Sequence, residues 1–240
     1  MLVMRKMDID LRKYLQQNHN QLSWKERIKI TYFIIANLFY VHLENAIHRD
    51  LHSGNILYSK YNDFWRISDL GFCGPADKSL KCIYGNLPYV APEVIAGRKY
   101  TFASDIYSIG ILMWEISSGQ SPFMKYEHDY DLAINIINGI RPKIMPGIPS
   151  EYENLIKQCW DAEPLKRPDI KTLWNKINDL HTLCNQNKFV EPFQSKSNNS
   201  NLEANYTNSK LFSRLFTSEV HKFENLPEPR NATEGILIIV

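Results

Sequence analysis

Three side chains stand where they could move a phosphoryl group: Asp50, Asn55 and Asp69. The first two lie in His48-Arg49-Asp50-Leu51-His52-Ser53-Gly54-Asn55. The third opens Asp69-Leu70-Gly71, fourteen residues after Asn55. Phosphoryl transfer asks a protein for little covalent chemistry and much positioning of charge. A carboxylate must accept or orient the proton of the attacking hydroxyl, a task that suits Asp50. Magnesium is a hard cation that prefers oxygen ligands, and Asn55 and Asp69 offer them. Taken singly, Asp50 would cap a turn, Asn55 would be a loop amide, and Asp69 would form a turn before Gly71. The two motifs stand in a fixed order and are followed by Ala91-Pro92-Glu93, which sets the joint reading above the separate ones.

Elements must hold these residues. Ser23 stands three residues before Glu26, the spacing of a capping box. The apolar run through Ile28, Ile34, Ile35, Leu38 and Val41 predicts a helix apolar on both sides, hence a core helix. Another apolar helix is predicted from about Thr101 to Ile116. Ser150 with Glu153 predicts a second box, ahead of Leu155, Ile156 and Trp160. Pro168 suits the first turn of a helix over Asp169-Ile-Lys-Thr-Leu-Trp174. Short strand-like pieces, Ala46-Ile-His48, Asn55-Ile-Leu-Tyr58 and Trp65-Arg-Ile-Ser68, lie between the first two helices. The fold class expected is α+β, mainly helical with small β-hairpins.

Composition supports one globular domain with a tail: 44% of the residues are hydrophobic and 22% charged. With 28 basic and 26 acidic residues, no basic field favours nucleic acid. No apolar run approaches a membrane span, and Met1-Leu-Val-Met-Arg-Lys is too short for a signal peptide, so a cytoplasmic protein is expected. Cys73, Cys82, Cys159 and Cys184 show no metal spacing and read as free thiols, with a Cys73–Cys82 redox pair as the alternative. From about residue 186 the chain turns to Asn, Ser, Lys and Gln, as in Ser195-Lys-Ser-Asn-Asn-Ser200, and residues 186–240 are expected to be a mostly disordered tail. Within it, Leu211-Phe-Ser-Arg-Leu-Phe216 could form a short amphipathic turn. The tripeptides starting at Asn198, Asn205 and Asn231 match the glycosylation pattern by chance.

Residues 1 to about 185 resemble the C-terminal lobe of eukaryotic protein kinases from the hinge onward. The resemblance is carried by the H-R-D-L-x-x-x-N run, Asp69-Leu-Gly71 in the place of D-F-G, and Ala91-Pro-Glu93. It implies ATP and Mg²⁺ as cofactors and a protein substrate seated along Tyr84–Glu93. Asp50 would be catalytic, and Asn55 and Asp69 would bind metal. Met4 would be the gatekeeper. The Arg5 carbonyl and the Met7 amide would meet the adenine edge, with Leu57 beneath it. Asp105 would brace the catalytic-loop backbone, Arg167 would pair with Glu93, and His48 and Leu70 would stack in the internal apolar spine. Arg49 before the catalytic Asp implies control by a phosphate on the activation segment, at Ser79 or Tyr84.

The acceptor class is narrowed by departures. Ser/Thr kinases usually carry Lys where this chain has His52, and tyrosine kinases carry Arg where it has Gly54. With Trp160 and Arg167-Pro168, the pattern is most similar to the tyrosine-kinase-like group of mainly Ser/Thr enzymes, although Asn86 replaces the usual Thr. Nothing before His48 reads as a glycine loop followed by V-A-I-K, so the smaller lobe is expected to be largely missing. The face that would meet it would then be exposed and offered to a partner. Two functions stay open: Ser/Thr protein phosphorylation, with Tyr as a further acceptor, or a catalytically inactive lobe that serves as an interaction module.

Overall fold

The computed structural model describes residues 6–75, 83–127, 129–189, 218–223 and 226–231. The N-terminal residues up to Arg5, together with Ser79, Cys82, Leu211–Phe216 and the apolar end Ile236–Val240, lie outside them. Among the described residues the fold is mainly helical with three small antiparallel sheets.

The chain enters through strand β1 (Ile9–Asp10), and Asp10 caps helix α1 (Leu11–Asn18) by accepting from Lys13 N at 2.9 Å. Helix α2 (Trp24–Leu43) starts at the capping box read from the sequence: Ser23 N donates to Glu26 Oε2 at 2.8 Å, and Glu26 N to Ser23 Oγ at 3.3 Å. Its buried side includes Ile28, Ile34, Ile35 and Leu38. Strand β2 (Ala46–Ile47) then leads into the His48–Asn55 loop. Strands β3 (Ile56–Ser59) and β4 (Phe64–Ile67) form a hairpin in register Ile56↔Ile67. Strand β1 completes that sheet on the other edge of β3, Asp10 opposite Leu57. Strand β5 (Gly74–Pro75) pairs with β2.

Helix α3 (Pro92–Ile95) carries the Ala91-Pro-Glu93 motif, and helix α4 (Phe102–Ser118) is the centre of the fold. Every α4 residue from Ser104 to Ser117 is buried. Thr101 caps it, and Gly119 ends it at φ 71, a left-handed conformation that glycine adopts at no steric cost. Helices α5 (Tyr130–Ile137), α6 (Ser150–Cys159) and α7 (Ile170–Asn185) follow, α5 against α3. Helix α6 crosses α4, and α7 packs along α2. At the α4–α6 crossing a Cβ on Gly110 would come within 2.9 Å of Cys159 Cβ, so the helices approach as closely as glycine permits.

Two predicted helix starts are corrected. Ser150 does not cap α6: Pro149 occupies the cap, and Ser150 is already helical, its hydroxyl turned to Glu151 Oε2 at 2.9 Å. Proline's fixed φ suits the helix entrance, and it displaces the serine by one position. Pro168 lies outside the first turn of α7, because Asp169 takes the cap and accepts from Thr172 N at 2.7 Å.

Beyond residue 189, two pieces of the 186–240 stretch lie among the described residues. Strand β7 (Glu219–His221) pairs antiparallel with β6 (Ile83–Gly85), in register Gly85↔Glu219 and Ile83↔His221. Residues 226–231 lie against the helices, where Arg230 N donates to Ile137 O at 2.9 Å and Ala162 N donates to Asn231 Oδ1 at 2.8 Å. The tail is polar overall, but Phe223 and Leu226 give it local apolar anchors. No helix among the described residues is long and apolar enough to cross a membrane.

Candidate active site

The His48–Asn55 loop is held from below by one carboxylate. Asp105, in the first turn of α4, accepts from His48 N at 2.8 Å and from Arg49 N at 2.9 Å, and meets His42 Nε2 at 2.9 Å. Arg49 sits at φ 72, a conformation that non-glycine residues adopt at a cost. The hydrogen bond from its backbone N–H to Asp105 fixes the turn there. The His48 ring is fully buried, its Nδ1 accepting from Asp50 N at 3.3 Å and its Nε2 donating to Ser68 O at 3.0 Å.

Asp50 is buried at the bend. Asn55 Nδ2 donates to the Asp50 carbonyl at 3.0 Å and lies 3.4 Å from Oδ2. Burial pushes the Asp50 carboxyl above its usual range and the Asp69 charge adds to this, while Ser218, His48 and Asn55 pull the other way. Asn55 precedes β3 and Ser68 follows β4, and Ser68 N donates to Asn55 O at 2.8 Å. The open end of the hairpin therefore sets Asp69 beside Asn55. Asp69 is exposed, at φ 57.

These donors suit magnesium. With its amide nitrogen used on Asp50, Asn55 keeps a carbonyl oxygen, and Asp69 adds an exposed carboxylate. Among the described residues no group of three or more His, Cys, Asp or Glu gathers. Two protein oxygens suffice for magnesium, which keeps water and phosphate as its other ligands.

His52 is buried, and its Nδ1 accepts from Gly54 N at 3.1 Å. Burial first, then the Arg12 and His48 charges, push the ring down to about 3. It is neutral at neutral pH, so its 3.8 Å approach to Asp50 Oδ2 is not an ion pair. Sequence reading missed a second cluster beneath the loop. Ser53 Oγ donates to Glu115 Oε1 at 2.8 Å, and Tyr89 OH to Glu115 Oε2 at 2.7 Å. Burial raises the Glu115 carboxyl and the Tyr89 phenol. This network ties the His48–Asn55 loop and the turn Leu87–Tyr89 to α4.

The remaining predicted residues lie as follows. Arg167 grips Glu93 with two bonds of 2.7 Å and stacks over Tyr107. Arg49 Nη1 donates to Phe72 O at 3.2 Å, at the start of the segment leading to β5. The Tyr84 backbone lies in β6, and Asn86 is buried just after it. Met7 is half-buried just before β1, and Leu57 is half-buried in β3 next to β1. Leu70 is corrected: it is 57% exposed and does not join buried His48 in an apolar stack, because it opens the short turn Leu70–Phe72 just after Asp69. Cys73 and Cys159 are free thiols, and Cys159 and Cys184 are buried. One further residue touches the centre without any signal in the sequence. Ser218 Oγ donates to Asp50 Oδ1 at 2.7 Å.

Comparison with known proteins gives the same frame. The profile of the protein tyrosine and serine/threonine kinase family matches residues 1–177. A putative serine/threonine-protein kinase/receptor of Acanthamoeba polyphaga mimivirus is 34% identical over 66% of this chain and 10% of its own length. The dual serine/threonine and tyrosine protein kinase of Homo sapiens is 31% identical over 78% of this chain and 20% of its own. A probable serine/threonine-protein kinase of Dictyostelium discoideum is 31% identical over 65% of the chain and 10% of its own length. The chain thus spans a tenth to a fifth of these relatives. A family profile that runs through the braced loop, the β3–β4 hairpin and the Glu93–Arg167 clamp leaves one assignment: the chain belongs to the protein kinase family.

Proposed function

We propose that this chain supplies the catalytic and substrate-binding lobe of an ATP- and magnesium-dependent protein kinase acting on serine and threonine hydroxyls of proteins. One observation carries the reading. A buried carboxylate with a raised pKa, Asp50, has its carbonyl pinned by Asn55, and the β3–β4 hairpin sets Asp69 beside Asn55. Asp50 orients the acceptor hydroxyl and takes its proton, and a pKa nearer neutrality makes it a better proton acceptor. Asn55 and Asp69 would hold magnesium, which when bound neutralises phosphate charge. Leu57 and Met7, with Arg5, would line the adenine. The stretch from Tyr84 to Glu93 would seat the peptide, anchored by Tyr89 on Glu115 and by Glu93 on Arg167.

The serine and threonine preference is supported by the names of the relatives. Neutral His52 supplies no positive charge to the transferred phosphoryl group, so charge neutralisation there would fall to a metal held by Asn55 and Asp69. Free thiols and a nucleotide substrate together support a cytoplasmic setting.

The test is transfer of labelled phosphate from Mg-ATP to a basic acceptor protein. Asp50→Asn is expected to lower the rate about a hundred- to ten-thousand-fold. Equal transfer by wild type and variant, or none by either, contradicts the reading and favours a non-catalytic lobe.

A further inference from the structure

We propose that Ser218 is an intramolecular phosphoryl acceptor: residues 218–223 lie along the peptide-seating strand and present the Ser218 hydroxyl to Asp50. The inference rests on the kinase reading above and names one substrate of that site. Four observations carry it.

The first is the direction of the hydrogens. His52 Nδ1 accepts from Gly54 N, so in the neutral ring Nε2 bears the hydrogen. That nitrogen is 3.2 Å from Ser218 Oγ and donates to it. The serine hydrogen is left for Asp50 Oδ1, 2.7 Å away. The hydroxyl is thus polarised toward the group that would take its proton, with a lone pair already fixed by His52.

The second is how the segment is held. Strand β7 adds to β6 by main-chain pairing, Tyr84 opposite Val220, in the manner of a bound peptide joining a sheet edge. His221 Nε2 adds a contact of 3.0 Å to Gly85 O. Val220 is 57% exposed, so backbone pairing and the Ser218 hydroxyl, not a side-chain pocket at that position, set the register.

The third is the room left for the acceptor. A Cβ on Gly85, at φ +144, would meet Val90 Cγ2 at 3.1 Å and Asp50 Oδ1 at 3.6 Å. The bare glycine lets the added strand approach Asp50.

The fourth is anchorage downstream. Phe223 packs between His221 and Tyr130. Glu228 pairs with Arg98, and Asn231 Nδ2 donates to Asp161 Oδ1 at 3.0 Å. A segment tied down near the site meets it at a high effective concentration, so strong recognition is not required.

In the step, Ser218 Oγ forms a bond to the γ-phosphorus of a nucleoside triphosphate. The bond from that phosphorus to the β,γ-bridging oxygen breaks, and the nucleoside diphosphate leaves with the electron pair. The Ser218 proton passes to Asp50 and then to water. The phosphoserine brings about −1.5 to −2 charge against Asp50 and Asp69. The product is therefore expelled, and β6 is freed for other protein substrates.

The experiment incubates the full 240-residue chain with Mg-ATP and myelin basic protein in one tube and maps phosphate by mass spectrometry. Phosphate is expected on Ser218, with a first-order rate unchanged over a tenfold range of chain concentration. Asp50→Asn abolishes it, and Ser218→Thr gives phosphothreonine at the same position. Asp50-dependent labelling of myelin basic protein with Ser218 unmodified overturns the inference and leaves the kinase reading standing. So does Ser218 labelling whose rate constant rises with chain concentration. Labelling of neither protein overturns both.

Discussion

At Asp50 the burial that raises the carboxyl above its usual range also exposes its dependence on neighbours. Asn55 holds the Asp50 carbonyl and is a proposed metal ligand, so Asn55→Ala should act twice. We expect a higher magnesium concentration for half-maximal rate together with a lower kcat, read from a magnesium titration at saturating ATP. An unchanged magnesium dependence would count against Asn55 as a ligand. At Glu93 the stakes are structural. Arg167 is wholly buried on the pair, and Glu93→Gln leaves a charge without its counterion. Breaking a buried pair in this way costs about 3–5 kcal/mol, measurable by urea unfolding. A third residue titrates. Burial, then the Arg27 charge, hold His19 below its usual value, with Arg27 Nη1 at 2.8 Å from Nε2. The unfolded chain therefore binds a proton there first. Stability from this group is complete above the unfolded value near pH 6.5 and falls as pH drops below it. The urea midpoint should decline from about pH 7.5 to about pH 5.5, and His19→Gln should reduce that decline. Asp50, Asn55 and Asp69 were legible because their spacing is tied to one chemistry. Ser53, Tyr89 and Glu115 were not, since nothing local links residues so far apart in the chain.

Helix ends show where local rules succeed and where neighbours override them. Ser23 and Glu26 act within one turn, and the box forms as the spacing requires. Ser150 had the same spacing, but Pro149 claimed the cap. Helix α5 escaped sequence reading, although Asp129 caps it and Leu132, Ala133, Ile136 and Ile137 form its buried stripe. Eight residues give too little periodicity to stand out. Strand β2 was foreshadowed by Ala46-Ile-His48, but β5, β6 and β7, of two or three residues each, carry no readable alternation, and pairing alone defines them. At the end of α4, Gly119 combines a left-handed backbone with a close neighbour: an added Cβ would overlap the His19 ring. Gly119→Ala should therefore destabilise by about 1–3 kcal/mol, seen as a lower urea midpoint with unchanged slope. A neutral outcome would mean that the α1–α4 contact yields easily.

Over the whole molecule, α4 is the common support. It braces the His48–Asn55 loop through Asp105, joins that loop to the Leu87–Tyr89 turn through Glu115, and meets α6 at Gly110. The lobe itself was readable, because its motifs, helices and charge balance agree with one another. The docking of residues 218–223 and 226–231 was not, because average polarity hides the few residues that bind. The central claim is that Asp50, Asn55 and Asp69 form one nucleotide–metal site. It is tested most directly by thermal unfolding of the chain with and without Mg-ATP, beside Asn55→Ala and Asp69→Ala. At a hundredfold excess over the dissociation constant the wild type should gain about 5–10 °C, and both variants should lose most of that gain. An equal gain in all three proteins, or none in the wild type, would contradict it.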